Sequence, residues 1–245
     1  MKAALVVNRM KRSMRENLND ILNYIQKSSE ANSDLVIFPE AAITGLCLTD
    51  NPIDDIKLGL SMDSLEIAKL CNAAKNYNIN VAIGILEKEN AKLFDTAIYI
   101  DRNGEIISKY RRITSGWRDS SQDSIYKEGC EIKVISTEFG KVCFLICGDL
   151  FEEELVSKVR EESVEYLFFP FARCLYPKTN IKEIWEREAL KEYLEQMKKT
   201  NAITLAANYL DEYYFGGAFV VDKGGRVISY FEIGQEGMLI IDLQT

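Results

Sequence analysis

The sequence predicts an α/β fold, a four-layer α-β-β-α sandwich of two mixed sheets related by an internal pseudo-twofold. Three observations carry this expectation. Strand-like runs alternate along the chain with segments whose apolar residues recur at helical spacing. Several strands, DLVIF (34–38) among them, are apolar on both faces and need cover on both sides. The chain also repeats itself weakly. FDTAIYIDRNGEIISKY (94–110) aligns with FGGAFVVDKGGRVISYF (215–231), and DLVIFPE (34–40) aligns with EYLFFPF (165–171).

The elements follow in order. KAALVVN (2–8) reads as a first strand, and 14–31 as a helix with Leu18, Ile21, Leu22 and Ile25 on one face. The strand at 34–38 stops at Pro39. Ser64 is a suitable cap for a helix over 64–77. A strand covers 79–86, and 94–112 forms a hairpin turning at Asn103-Gly104. Strands at 132–136 and 141–147 precede a helix at 151–162. Then come a strand (164–171), a long helix (181–200), a strand (202–208), a hairpin (216–232) and a last strand (237–243). No Pro-, Gly- or Ser-rich linker interrupts the chain, so residues 1–245 are read as a single domain.

The 245 residues are 47% hydrophobic and 28% charged, an ordinary globular balance. A net charge of −8 argues against a nucleic-acid partner. No apolar run approaches the length of a membrane span. The six cysteines lack the spacing of a disulfide framework, so the expected setting is a reducing cytoplasm. The chain has no histidine. That excludes Ser-His-Asp and Cys-His catalysis and His-based zinc sites, and no CxxC pair or Gly-rich phosphate loop offers another cofactor site. Neither a metal nor a cofactor is expected.

Three candidates stand at the C-terminal ends of strands, where α/β sheets build their sites. Glu40 follows the strand at 34–38, Arg112 ends the hairpin, and Cys147 ends the strand in KVCFLICGDL. A thiol at a sharp strand end reads either as a small core residue or as a nucleophile. Without imidazole, another group must activate it.

These segments resemble the nitrilase, or carbon-nitrogen hydrolase, superfamily. VIFPEAAITG is similar to its Glu-bearing segment, GEIISKYRR to its Lys-bearing segment, and GKVCFLICGDL to its nucleophile elbow. GGAFVVDKGGRVIS and EGMLIIDL are similar to its closing hairpin and strand. The resemblance implies the same sandwich, frequent homodimers, no metal, and a Glu-Lys-Cys triad that hydrolyses small amides or nitriles through a thioester. Carried over, Glu40 is the general base, Cys147 the nucleophile, and the backbone N–H of Gly148 an oxyanion donor.

Two positions depart from the family pattern. Arg112 stands where the family has its catalytic lysine. Arginine keeps the charge but cannot release a proton. Lys109, three residues back, alternates to the opposite face of the strand and would serve only if a bulge re-aimed it. Gln122 stands where many relatives carry a second glutamate. Trp117, Arg118, Phe171, Arg173 and Tyr176 are the candidate substrate-pocket walls, the arginines being suited to a carboxylate. The leading expectation is an amide hydrolase. The alternatives are a weakened relative that binds a ligand or partner, and a glutaminase subunit feeding a separate synthetase.

Overall fold

The computed structural model describes residues 1–49, 51–118, 125–174 and 180–243. Gln122 and Tyr176 lie outside the described residues.

The first half opens with β1 (Lys2–Val7) and α1 (Met14–Glu30), capped by the Ser13 side chain, which accepts from the Glu16 amide. β2 (Leu35–Ile37) precedes the short α2 (Pro52–Asp55), a 3-10 turn (Ile56–Leu58) and α3 (Leu65–Asn76), which Ser64 caps as its sequence position predicts. β3 (Asn80–Glu89), β4 (Lys92–Ile100) and β5 (Ile106–Arg111) follow. The second half runs β6 (Ile135–Thr137), β7 (Gly140–Phe144), a 3-10 turn (Cys147–Phe151), α4 (Glu153–Glu161) and β8 (Tyr166–Phe171). It closes with α5 (Ile181–Ile184), a π turn (Trp185–Ala189), α6 (Leu190–Thr200), β9 (Ile203–Asn208), β10 (Ala218–Val221), β11 (Val227–Phe231) and β12 (Gly237–Asp242).

The described strands form two six-stranded mixed sheets, ordered β12-β1-β2-β3-β4-β5 and β11-β10-β9-β8-β7-β6. The parallel trio β1-β2-β3 continues into the antiparallel β4 and β5. β7-β8-β9 continues in the same way into β10 and β11. The expected pseudo-twofold is visible in this matched order. Both outer hairpins even carry a register shift at the same place, between Tyr99 and Ile100 and between Val220 and Val221.

Strand alternation assigns the layers. On β1, Ala3, Leu5 and Val7 enter the core shared by the two sheets, while Ala4 and Val6 pack against Leu18, Ile21 and Ile25 of α1. On the second sheet the outer layer is α4 and α6, through Val156, Val159, Tyr193 and Met197.

Three expectations need correction. The helix expected at 151–162 begins two residues later, because the chain first makes the 3-10 turn at Cys147. The helix expected over 181–200 is interrupted by the π turn. Its buried residues Trp185, Ala189, Tyr193 and Met197 recur every four positions. At 3.6 residues per turn that row drifts off the core, and the wider π turn takes up part of the drift. Third, β3 and β4 extend through EKENAK, a stretch too polar to read as strand. They join at Asn90-Ala91, both left-handed at φ 49° and 58°. The charged end is held by Glu87, which is buried and accepts from Thr96, Lys109 and Arg111.

Candidate active site

β2 delivers Glu40. Past its last paired residue the chain keeps contact with β3: the Phe38 amide donates to the Ala82 carbonyl, Gly84 to Pro39 and Ala42 to Gly84. This contact is possible because residue 84 is glycine. A Cβ there would stand 2.5 Å from the Glu40 Cα. Ala41 then turns in the left-handed region at φ 45°, which drives the Glu40 side chain inward, where it is completely buried.

β5 delivers Arg112. The Arg112 amide donates to the Asp95 carbonyl and carries the β4–β5 ladder one step further. Alternation sends Tyr110 and Arg112 towards the other sheet, and Lys109 and Arg111 outward to Glu87. Arg112 Nη1 lies 3.0 Å from Glu40 Oε1 and 3.5 Å from Asp95 Oδ2, and its Nε donates to Thr114 Oγ1 at 2.8 Å.

β7 delivers Cys147. The strand, expected to run to residue 147, ends at Phe144, and after two further residues Cys147 opens the 3-10 turn at φ 46°, a conformation uncommon outside glycine. The thiol is half-buried and lies 3.7 Å from the Ala172 carbonyl, to which it donates. Asp149 fixes the turn. Its Oδ2 accepts from the Ile146 amide and the Tyr110 hydroxyl, and its Oδ1 from the Ile113 and Thr114 amides. One buried carboxylate thus ties the thiol's turn to the segment that carries Arg112.

Gly148 sits against the arginine. A Cβ at this position would meet Arg112 Nη2 at 2.5 Å and Thr114 Oγ1 at 3.0 Å. The guanidinium, bulkier than the ammonium of a lysine, occupies the space that a side chain at 148 would need.

The electrostatics follow from burial. Loss of solvent pushes the Glu40 carboxyl up to about 8; the adjacent thiol adds to the rise and Arg112 opposes it. Burial, reinforced by the Glu40 charge, raises Asp95 well above the ordinary carboxylate value. Arg112 loses solvation too, but Glu40, Cys147, Asp95 and Asp149 outweigh that loss and hold it above its usual value.

Cys147 opens into a cleft of about 550 Å³ that Arg112, Trp117, Arg118, Gly148, Arg173, Tyr193 and Tyr214 help to line. A neighbouring cleft of about 700 Å³ touches Arg112 and Gly148 but not the thiol. Of the residues expected in the pocket, Trp117, Arg118 and Arg173 border it, and Arg118 is paired with Glu128 at 3.0 Å. Phe171 does not border it and is a correction. Alternation turns it into the core, fully buried against Trp185, Tyr193 and Phe219. Lys109 stays away from the cluster, 2.6 Å from Glu87 on the outer face. Among the described residues no group of three or more His, Cys, Asp or Glu is arranged to hold a metal.

Sequence reasoning missed Asp95 and Asp149. Asp95 had a readable signal: on β4 it shares the inward face with Ala97 and Tyr99, an odd place for an acid. Asp149 had none beyond its position two residues after the cysteine.

The chain belongs to the carbon-nitrogen hydrolase family, whose pattern it matches over residues 2–245. An aliphatic nitrilase of Rhodococcus rhodochrous is 27% identical over 144 residues, covering 54% of this chain and 38% of the nitrilase. A glutamine-dependent NAD(+) synthetase of Thermotoga maritima is 26% identical over 238 residues, covering 93% of this chain and 39% of the synthetase. The chain therefore spans under two fifths of the length of either relative. Among solved structures, a mutant amidase from Nesterenkonia sp. AN1, with acrylamide added at its active-site cysteine, superposes with a TM-score of 0.82. That match has 17% identity and covers 100% of this chain and 93% of the amidase, a likeness of fold. No helix among the described residues is long and apolar enough to cross a membrane.

Proposed function

We propose that the protein hydrolyses the carbon–nitrogen bond of a small amide, with Cys147 as nucleophile, Glu40 as general base and Arg112 as the oxyanion's cationic partner. The observation that carries this reading is a reachable thiol in a cleft that a buried guanidinium also lines, with a buried carboxyl 3.0 Å behind that guanidinium. Glu40 takes the thiol proton as the sulfur attacks the amide carbon. The oxygen becomes an oxyanion beside Arg112 and the Gly148 amide. Collapse of the tetrahedral adduct expels the amine, which receives the proton from Glu40. Water, deprotonated by Glu40, then attacks the thioester; the acid leaves as the carbon–sulfur bond breaks, and Glu40 returns the proton to the Cys147 sulfur.

The glutaminase alternative has support in one fact: nearly the whole chain aligns with part of a glutamine-dependent synthetase. Glutamine is then one amide among those to be tried. A panel of short aliphatic amides, ω-amides of dicarboxylic acids and glutamine, assayed for ammonia release, tests both readings. Release that disappears in Cys147→Ala supports hydrolysis. No release from any amide, with the thiol shown free and reachable, favours the ligand-binding alternative.

A further inference from the structure

Three carboxyl groups and one guanidinium share the buried end of the inter-sheet core: Glu40, Asp95, Asp149 and Arg112. Asp149 is fully satisfied as a carboxylate by its four donors. Glu40 and Asp95 are not. Glu40 Oε2 and both Asp95 oxygens are buried without a hydrogen-bond partner among the described residues, Arg112 reaching only Glu40 Oε1 at bonding distance. Both carboxyls converge on the same atom, Arg112 Nη1, with Glu40 Oε1 at 3.0 Å and Asp95 Oδ2 at 3.5 Å, and a hydrogen bond between them would satisfy the orphaned oxygens. Two carboxylates cannot make that bond; a carboxylic acid and a carboxylate can.

Charge counting points the same way. If both were ionised, three buried carboxylates, Asp149 included, would face one guanidinium, which is costly for groups this deeply buried. With one proton on the pair, Arg112 balances Glu40, and the remaining charge is that of Asp149, which its four donors hold. The arrangement resembles other paired carboxyls that titrate as a unit.

We propose that Asp95 is a positioning residue that keeps a proton and donates it in a hydrogen bond to Glu40 Oε2, holding the ionised Glu40 as the base beside a cation that cannot release a proton. This rests on the hydrolytic reading of the site. The cycle balances without Asp95 losing its proton. The thiol proton goes to Glu40 and from there to the amine, while Asp95 follows the charge on Glu40 by tightening or relaxing its bond. Arg112 and Asp149 face Asp95, as does Tyr110, which burial raises and whose hydroxyl donates to Asp149, while Arg112, Cys147, Tyr193 and Tyr214 face Glu40. Burial likewise raises Tyr193 and Tyr214 above their ordinary values, so all three tyrosines stay neutral through the range of the test.

Two measurements test the assignment. The first is infrared spectroscopy at about pH 9, above the loss of the pair's first proton. The expected spectrum keeps the C=O stretch of one buried carboxylic acid in the native protein and loses it in Asp95→Asn. No such band in the native protein, or the same band in both, overturns the proposal, and neither outcome depends on turnover. The second is the pH profile of Cys147 alkylation by iodoacetamide. Asp95→Leu removes the donor to ionised Glu40, so the rising limb should move alkaline by about one unit, a tenfold slowing on its slope. Asp95→Asn, an amide donor without charge, should restore most of the shift. If Asn and Leu shift the limb alike, Asp95 is an ionised partner of Arg112 and the proposal fails.

Discussion

At the level of single residues, Arg112 is the centre of the proposed site. Its guanidinium is wedged between Glu40 and the backbone of Gly148. Glycine at 148 and arginine at 112 are therefore a matched pair. Gly148→Ala alone should displace Arg112 and cut ammonia release at least about tenfold, the loss that follows a misplaced site cation. In an Arg112→Lys background the added methyl meets no guanidinium, so the same change should cost far less. A double-mutant cycle on ammonia release measures this, and additive effects would contradict the pairing. Arg112 was legible in the sequence because alternation along EIISKYRR separates it from Lys109 without any tertiary information. Asp95 could be noticed as an acid on an inward strand face, but its pairing with Arg112 and Glu40 could not be read, because Glu40 lies 55 residues away and only the packed sheet brings them together.

At the level of elements, the turn after β7 is held by side-chain chemistry more than by regular structure. Four donors converge on Asp149, two of them from the segment after β5. Asp149→Ala strands those buried donors and should cost roughly 3–5 kcal/mol, read from urea unfolding. Its damage to ammonia release should exceed that of an equally destabilising core truncation such as Phe168→Ala, since only the first loosens Cys147 and Arg112 together. Equal damage would mean that the turn is held elsewhere. The order of the longer strands and helices was readable, since buried strands and amphipathic helices carry strong periodicity, whereas the four-residue α2 was not expected. The turn at Asn90-Ala91 and the π turn were not. The first lies in a polar stretch stabilised by cross-strand ion pairs, and the second depends on what the helix packs against.

At the level of the whole molecule, the duplicated sheet order places the end of one inter-sheet core under a cleft, and the site takes its burial from that core. Burial has a consequence for stability. Glu40 binds its proton more tightly folded, at about 8, than a free glutamate does, and Asp95 is raised in the same direction. The folded state thus holds more protons than the unfolded state between the ordinary carboxylate range and about pH 8. Stability contributed by these groups is full below that range and falls as pH rises through it, by up to about 1.4 kcal/mol per pH unit for each carboxyl. Glu87 and Glu89, lowered in the fold, act oppositely but only in acid. The melting temperature should therefore decline from about pH 5 to 8, and Glu40→Gln should flatten the decline. A melting temperature that rises across this window would contradict the buried-pair electrostatics.

The central claim is that Cys147 forms a thioester with the acyl part of an amide. Intact-protein mass spectrometry during turnover of the amide panel tests it most directly. The expected result is a mass increase equal to one acyl group, mapped to the Cys147 peptide and absent in Cys147→Ala. Ammonia release that continues in Cys147→Ala, or an acyl adduct that maps to another cysteine, would contradict it.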